Sequence, residues 1–188
     1  VRPMVFSSLL FLFLYLPVVL AVYYLVPARW RNPVLFAANM VFYGWGEPVY
    51  ILLMLFSIAL NYVNGLLIDK YRARQKRARF ILVVNVVLNL ALLGFFKYYD
   101  LIAETLSLLP FIHIAPLGLE LPIGISFYTF QTMSYPIDVY RGEARAQKNI
   151  INFGVYVTLF PQLIAGPIVR YRTVAEELEH WDCTADLF

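Results

Sequence analysis

Lys70-Tyr-Arg-Ala-Arg-Gln-Lys-Arg-Ala-Arg79, followed at once by Phe80-Ile-Leu-Val-Val-Asn-Val-Val-Leu-Asn-Leu-Ala-Leu-Leu-Gly-Phe-Phe96, sets six basic side chains against an apolar run with no charge at all. Such a run approaches the roughly 20 residues needed to cross about 30 Å of hydrocarbon at about 1.5 Å per residue. The six basic residues are a large share of the 15 Lys and Arg in the chain, and apolar runs flank them on both sides. Basic residues so placed mark a cytoplasmic loop before they mark a phosphate-binding face. The loop at 69–79 is therefore expected in the cytoplasm. The net charge of +3 implies no nucleic-acid partner.

The same solvent is implied by the whole composition. Of 188 residues, 61% are hydrophobic and 14% charged, against about a quarter charged in soluble domains. Polar side chains are too few to coat a water-facing surface, so membrane lipid is the expected partner. The chain has one cysteine, Cys183, which excludes an internal disulfide. No zinc-type Cys/His spacing and no phosphate-binding glycine loop occurs, and His113 and His180 stand alone in the sequence. No metal site is expected.

Working outward from the basic loop, residues 3–28 form a first uncharged run, read as a retained span rather than a cleaved signal. Pro17 is expected to kink it, and Arg29 and Arg31 to end it around an interfacial Trp30. Residues 32–68 carry one charge, Glu47, and are too long for one helix. Gly44-Trp-Gly-Glu-Pro48 marks a turn, giving a short helix over about 33–43 and a longer one over 48–67. Residues 80–96 form the next span, closed by Lys97-Tyr-Tyr-Asp100. Residues 100–121 hold acids and no Lys or Arg. Two further uncharged stretches follow: 121–137, expected to be interrupted at Pro122, Gly124 and Pro136, and 149–169, with Pro161, Gly166 and Pro167 near its far end. The second is expected to re-enter rather than cross, since crossing would put Arg170 and Arg172 outside. In the tail, Thr173 and Glu176 have capping-box spacing ahead of an amphipathic helix. Counting crossings from the loop places the N-terminus outside the cytoplasm and Arg141, Arg145 and Lys148 inside.

Two stretches break the rules for a lipid-facing span. Leu121-Pro-Ile-Gly-Ile-Ser-Phe-Tyr-Thr-Phe-Gln-Thr-Met-Ser-Tyr-Pro-Ile137 is rich in hydroxyls and includes an amide. Within it Tyr128, Gln131 and Tyr135 fall at i, i+3 and i+7 and share a helix face with Ser126 nearby. Polar side chains in hydrocarbon seek partners, so this face is read either as interhelical glue or as the lining of a polar tunnel. Phe160-Pro-Gln-Leu-Ile-Ala-Gly-Pro-Ile-Val-Arg-Tyr171 is broken by Pro161, Gly166 and Pro167. Broken helices at membrane depth are where substrate sites are often built, although a kinked structural helix fits as well. Arg170 at its end could hold an anion or snorkel to headgroups. Neither histidine has the positioned partner that general-base catalysis requires.

These two stretches, with Ser134-Tyr-Pro-Ile-Asp-Val-Tyr-Arg-Gly142, the opening Met4-Val-Phe-Ser-Ser8 and Leu12-Phe-Leu14, the Phe42-Tyr-Gly-Trp-Gly46 turn and Phe95-Phe-Lys-Tyr98, resemble the membrane-bound O-acyltransferase family. The resemblance covers nearly the whole chain. Ala165-Gly-Pro-Ile-Val-Arg-Tyr171 is similar to the bacterial alginate O-acetylation branch. The teichoic acid D-alanylation branch usually reads Ser-Gly-Pro-Ile-Asp-Arg-Phe, from which Ala165, Val169 and Tyr171 depart.

The resemblance implies an all-α, polytopic membrane helical bundle with broken or re-entrant helices, in the bacterial inner membrane. It implies a donor such as acetyl-CoA or a related thioester, with no cofactor bound. The acceptor it implies is an extracytoplasmic polysaccharide or a partner acetyltransferase protein. Residues 1–188 would be the N-terminal part of one acyltransferase domain. The family's catalytic histidine lies beyond this segment, so no catalytic residue is carried over and the chain alone is expected to be inactive. Ser126, Tyr128, Gln131, Tyr135, Pro161, Gly166 and Arg170 are carried over as tunnel-lining residues only. A non-catalytic membrane scaffold and a small transporter are the competing readings.

Overall fold

A computed structural model describes residues 9–107, 115, 117–118, 121–122, 124–159, 170–171 and 173–174. Among them the regular structure is helical throughout. A π-helical turn at Phe11–Tyr15 leads into α1 (Leu16–Leu25), followed by α2 (Ala28–Gly46), α3 (Ile51–Lys70), α4 (Gln75–Ser107), α5 (Ile125–Arg141) and α6 (Ile150–Thr158). Two of these, α3 and α4, are long and apolar enough to cross a membrane.

The irregularity expected at Pro17 takes the form of a widened turn. Pro17 has no N–H to donate, and its ring crowds the preceding turn. The Leu16 N–H reaches back five residues to the Phe11 carbonyl, a π-type bond. Phe11 is fully buried against Phe42, with ring centroids 5.1 Å apart.

The second helix begins earlier than the sequence suggested. Pro27 drives Val26 into extended backbone (φ −83°, ψ 149°), which ends α1 at Leu25. A new helix starts at Ala28 and runs through Pro33 to Gly46. Arg29, Trp30 and Arg31 thus occupy the first turn of α2 rather than a loop, and the Arg31 guanidinium lies 5.5 Å from the centre of the Tyr23 ring. The turn expected near Gly44–Pro48 is present but falls at 47–50.

The basic loop is also shorter than expected. Helix α3 continues to Lys70, and α4 begins at Gln75. Lys97 and Asp100 do not end α4, which runs for 33 residues to Ser107, about 50 Å at the usual rise. The charges lie within the helix and do not mark its end. Asp100 Oδ1 accepts a hydrogen bond from Leu117 N at 2.8 Å, so Leu117 lies beside this end of α4.

Helix α5 is bounded by two glycines with positive φ, Gly124 at 75° and Gly142 at 77°, conformations that cost other residues steric energy. It passes unbroken through Pro136, contrary to the interruption expected there. Its strongest packing is against α3, then α4. Gly65 of α3 makes that approach possible: a Cβ there would stand 2.2 Å from the Tyr135 ring. Helices α2 and α6 run parallel, joined by Asn32 Nδ2 to Asn152 Oδ1 at 2.9 Å and Asn39 Nδ2 to Thr158 Oγ1 at 3.3 Å. With nine residues, α6 covers only about 13 Å. The continuation that would separate crossing from re-entry lies outside the described residues.

Candidate functional site

The face read from the 3-4 spacing on α5 points into the bundle. Tyr128 and Tyr135 are fully buried, and Gln131 is 2% exposed. Ser126 sits half-buried at the edge of this face. Gln131 Nε2 donates to the Tyr156 carbonyl of α6 at 2.8 Å. The Ser134 hydroxyl donates to the Gln131 carbonyl at 2.8 Å and lies 3.3 Å from the Tyr156 hydroxyl. Thr132 Oγ1 donates to the Thr129 carbonyl at 3.1 Å. Both hydroxyls bond back to carbonyls of their own helix.

One turn further along, Tyr135 anchors a cluster of aromatic rings. Its centroid lies 4.6 Å from Phe153 and 4.7 Å from Tyr171, and Tyr156 lies 5.3 Å from Tyr171. Offset and edge-to-face arrangements at such separations are favourable beyond their area. Gln147, 3% exposed, ties the 142–149 connection to this cluster. Its Nε2 donates to the Tyr171 hydroxyl at 3.1 Å, its Oε1 accepts from Asn149 N at 3.1 Å, and its backbone N donates to the Tyr135 hydroxyl at 3.0 Å. Arg170 is exposed beside the buried Tyr171. Gln131 and Tyr135 are thus brought together with Tyr156 of α6 and with Tyr171, the neighbour of Arg170; none of these contacts includes Tyr128. Pro161 and Gly166, both histidines and the tail helix expected after Thr173 lie outside the described residues.

A second polar feature was not read from the sequence. Four asparagines link α3 to α4. Asn64 Nδ2 donates to Asn85 Oδ1 at 2.9 Å, and Asn85 Nδ2 donates to Asn61 Oδ1 at 2.9 Å. Asn61 and Asn89 exchange amide bonds at 2.9 and 3.1 Å. Asn61, Asn85 and Asn89 are at most 1% exposed. The signal was available: Asn61 and Asn64 are three apart, Asn85 and Asn89 four apart, each pair on one face of an otherwise apolar helix.

Basic residues gather at one end of the bundle. Arg72 from the α3–α4 turn and Arg141 from the last turn of α5 line one cavity. The Tyr62 hydroxyl, about midway along α3, donates to the Lys148 carbonyl at 2.7 Å. Among the described residues, no three His, Cys, Asp or Glu side chains come together as a metal-binding group would require.

Fold and interior together define an all-α membrane helical bundle with a polar helix, α5, at its centre. Comparison with known proteins narrows the class. The chain is 42% identical over 98% of its length to an Azotobacter vinelandii protein named "Probable alginate O-acetylase AlgI", and 43% identical over 98% to its Pseudomonas aeruginosa namesake. It is 30% identical over 94% of its length to the Helicobacter pylori "Peptidoglycan O-acetyltransferase". The chain spans 38%, 36% and 39% of the lengths of these curated relatives. No family model and no solved structure matches it. The chain is homologous, along nearly all of its length, to part of the alginate O-acetylases, the branch of the membrane-bound O-acyltransferase family that its motifs resemble.

Proposed function

We propose that this chain is the N-terminal part of a membrane-bound O-acetyltransferase. The whole protein would move an acetyl group across the bacterial inner membrane to an extracytoplasmic polysaccharide, alginate before peptidoglycan. The carrying observation is the 42–43% identity to alginate O-acetylases along 98% of the chain, against 30% to the peptidoglycan enzyme. The donor is a cytoplasmic thioester such as acetyl-CoA, and the acceptor is the polymer itself or a partner acetyltransferase protein that completes the transfer.

In this reading α5 supplies part of the interior wall along which the acyl group passes. Its buried polar face gives a small polar ester or thioester carbonyl something other than lipid to meet. The aromatic and amide contacts around Tyr135 and Gln147 hold α5, α6 and Tyr171 as one block. In this reading the transfer step is assigned to the whole protein, whose catalytic histidine the family resemblance places outside the segment matched here. The multi-pass topology has the N-terminus outside and the α3–α4 turn in the cytoplasm. It is supported by the meeting of Arg72 and Arg141 in one cavity at one end of the bundle and by Asp100 toward the other end of α4.

The test exchanges this chain for the matching segment of the P. aeruginosa alginate O-acetylase in cells lacking that enzyme. The chimera is expected to restore acetyl esters on secreted alginate, and the 188-residue chain alone to restore none. A membrane-inserted chimera that leaves alginate unacetylated would contradict the proposal.

A further inference from the structure

Where α3, α4 and α5 come together, a cavity of about 450 Å³ is lined by Ile68, Arg72, Gln75, Ala78, Tyr140 and Arg141. Two guanidiniums, a carboxamide and a phenol face one space with no carboxylate among the lining residues. The charged groups on the surrounding elements are Asp69 and Lys70 at the end of α3, Arg74 in the turn, Lys76, Arg77 and Arg79 on α4, and Asp138 and Glu143 about the end of α5. Asp138 is buried within α5. No ion pair of Arg72 or Arg141 occurs among the described residues.

The position of Arg72 is built into the fold. Its Nη2 lies 2.3 Å from where a Cβ would stand on Gly142, whose φ is +77°. Only glycine both adopts that backbone and leaves room for the guanidinium. The carbonyls at the end of α5 are occupied, with Gly142 N bonding to Val139 O at 3.1 Å and Glu143 N to Asp138 O at 2.9 Å. The opening turn of α4 contributes the positive end of a long helix dipole to the same cavity. Two positions past Ala78, Phe80 is 70% exposed, so the apolar surface of α4 begins directly beside the cationic cavity.

The geometry points to a binding site for the phosphate of an anionic phospholipid headgroup in the cavity between Arg72 and Arg141. Guanidinium forks match phosphate oxygens in bidentate fashion. Basic pockets between membrane helices are suited to anionic headgroups. The adjoining apolar surface favours an amphiphile over a free anion. The site is separate from the α5–α6 face assigned to acyl passage and does not depend on that assignment.

Native mass spectrometry of the 188-residue chain tests this, after purification in detergent carrying equal amounts of phosphatidylglycerol and phosphatidylcholine. The wild type is expected to retain one phosphatidylglycerol and no phosphatidylcholine. Arg72→Ala with Arg141→Ala should lower that retention by about tenfold or more, the loss of a charge-assisted bidentate contact. Lys76→Ala with Arg79→Ala, basic residues outside the lining, should leave it unchanged. Arg72→Gln, at an exposed turn position, serves if the double variant fails to fold, with helical circular dichroism as the control. Equal retention of both lipids, no retained lipid, an unchanged Arg72/Arg141 variant or an equal loss in the Lys76/Arg79 variant would each overturn the site. Displacement of the lipid by low millimolar inorganic phosphate would overturn the lipid assignment, and survival of the complex would support it.

Discussion

Between α3 and α4 the polar atoms bond side chain to side chain, whereas between α5 and α6 they bond chiefly side chain to backbone. Helices α3 and α4 look like simple spans, but their shared face holds four asparagines in one linked network. Helix α5 looks unsuited to lipid, yet Gln131, Thr132 and Ser134 all reach main-chain carbonyls. In hydrocarbon no water is at hand to satisfy a polar group, so each must find a partner within the protein. An amide network does this while fixing the register of two long helices. Bonds to backbone leave α5 tied mainly by aromatic packing around Tyr135 and by the close approach at Gly65.

The comparison predicts which substitutions hurt most. Asn61 bonds to both Asn85 and Asn89, so Asn61→Leu removes the partner of Asn85 Nδ2 and of Asn89 Oδ1 and should cost about 2 kcal/mol, within the range for unsatisfied buried groups. Thermal or denaturant unfolding in detergent measures it. Asn64→Leu, at the partly buried end of the network, should cost less, about 0.6 kcal/mol, the average for interhelical bonds in a membrane protein. Equal costs for the two would mean that the network is not a centred clamp.

Gly65→Ala probes the other contact. Its Cβ meets a buried ring at 2.2 Å, and overpacking of this kind costs about 1–3 kcal/mol. Tyr135→Ala introduced together with it should relieve most of that clash, which a double-mutant cycle reads directly. Tyr135→Phe keeps the ring and removes the acceptor for Gln147 N, with an expected loss of about 1 kcal/mol. At the small end, Gly94 has nothing within 4 Å of its would-be Cβ, so Gly94→Ala should stabilise α4 by about 0.5–1 kcal/mol through helix propensity alone. A destabilising Gly94→Ala would show that this face of α4 is covered.

Much of the bundle was legible. Uncharged run lengths gave α3 and the apolar centre of α4, the Gly/Pro cluster gave the turn after α2, and the 3-4 spacing gave the buried face of α5. The helix ends were less legible for physical reasons. Lys97 and Asp100 are charges in a helix that outlasts its apolar run. Arg29 to Arg31 lie in a helix reset by Pro27. Pro136 reads as a break, yet α5 continues through it to Arg141, since one missing backbone bond does not end a helix packed against α3, α4 and α6. The asparagine network was written in the sequence, but single amides in apolar runs carry meaning only once the facing helix is known. The tie between Gln147 and Tyr171 joins residues 24 apart and has no local signal.

Everything rests on α4 crossing the bilayer, with the Arg74 turn on the cytoplasmic side and the acidic segment beyond it on the other. With Cys183 replaced by Ser, Arg74→Cys and Glu104→Cys can each be labelled by a membrane-impermeant maleimide in intact cells and in inverted vesicles. Arg74→Cys should react only in inverted vesicles and Glu104→Cys only from the outer face; labelling of both from the same side would contradict the account.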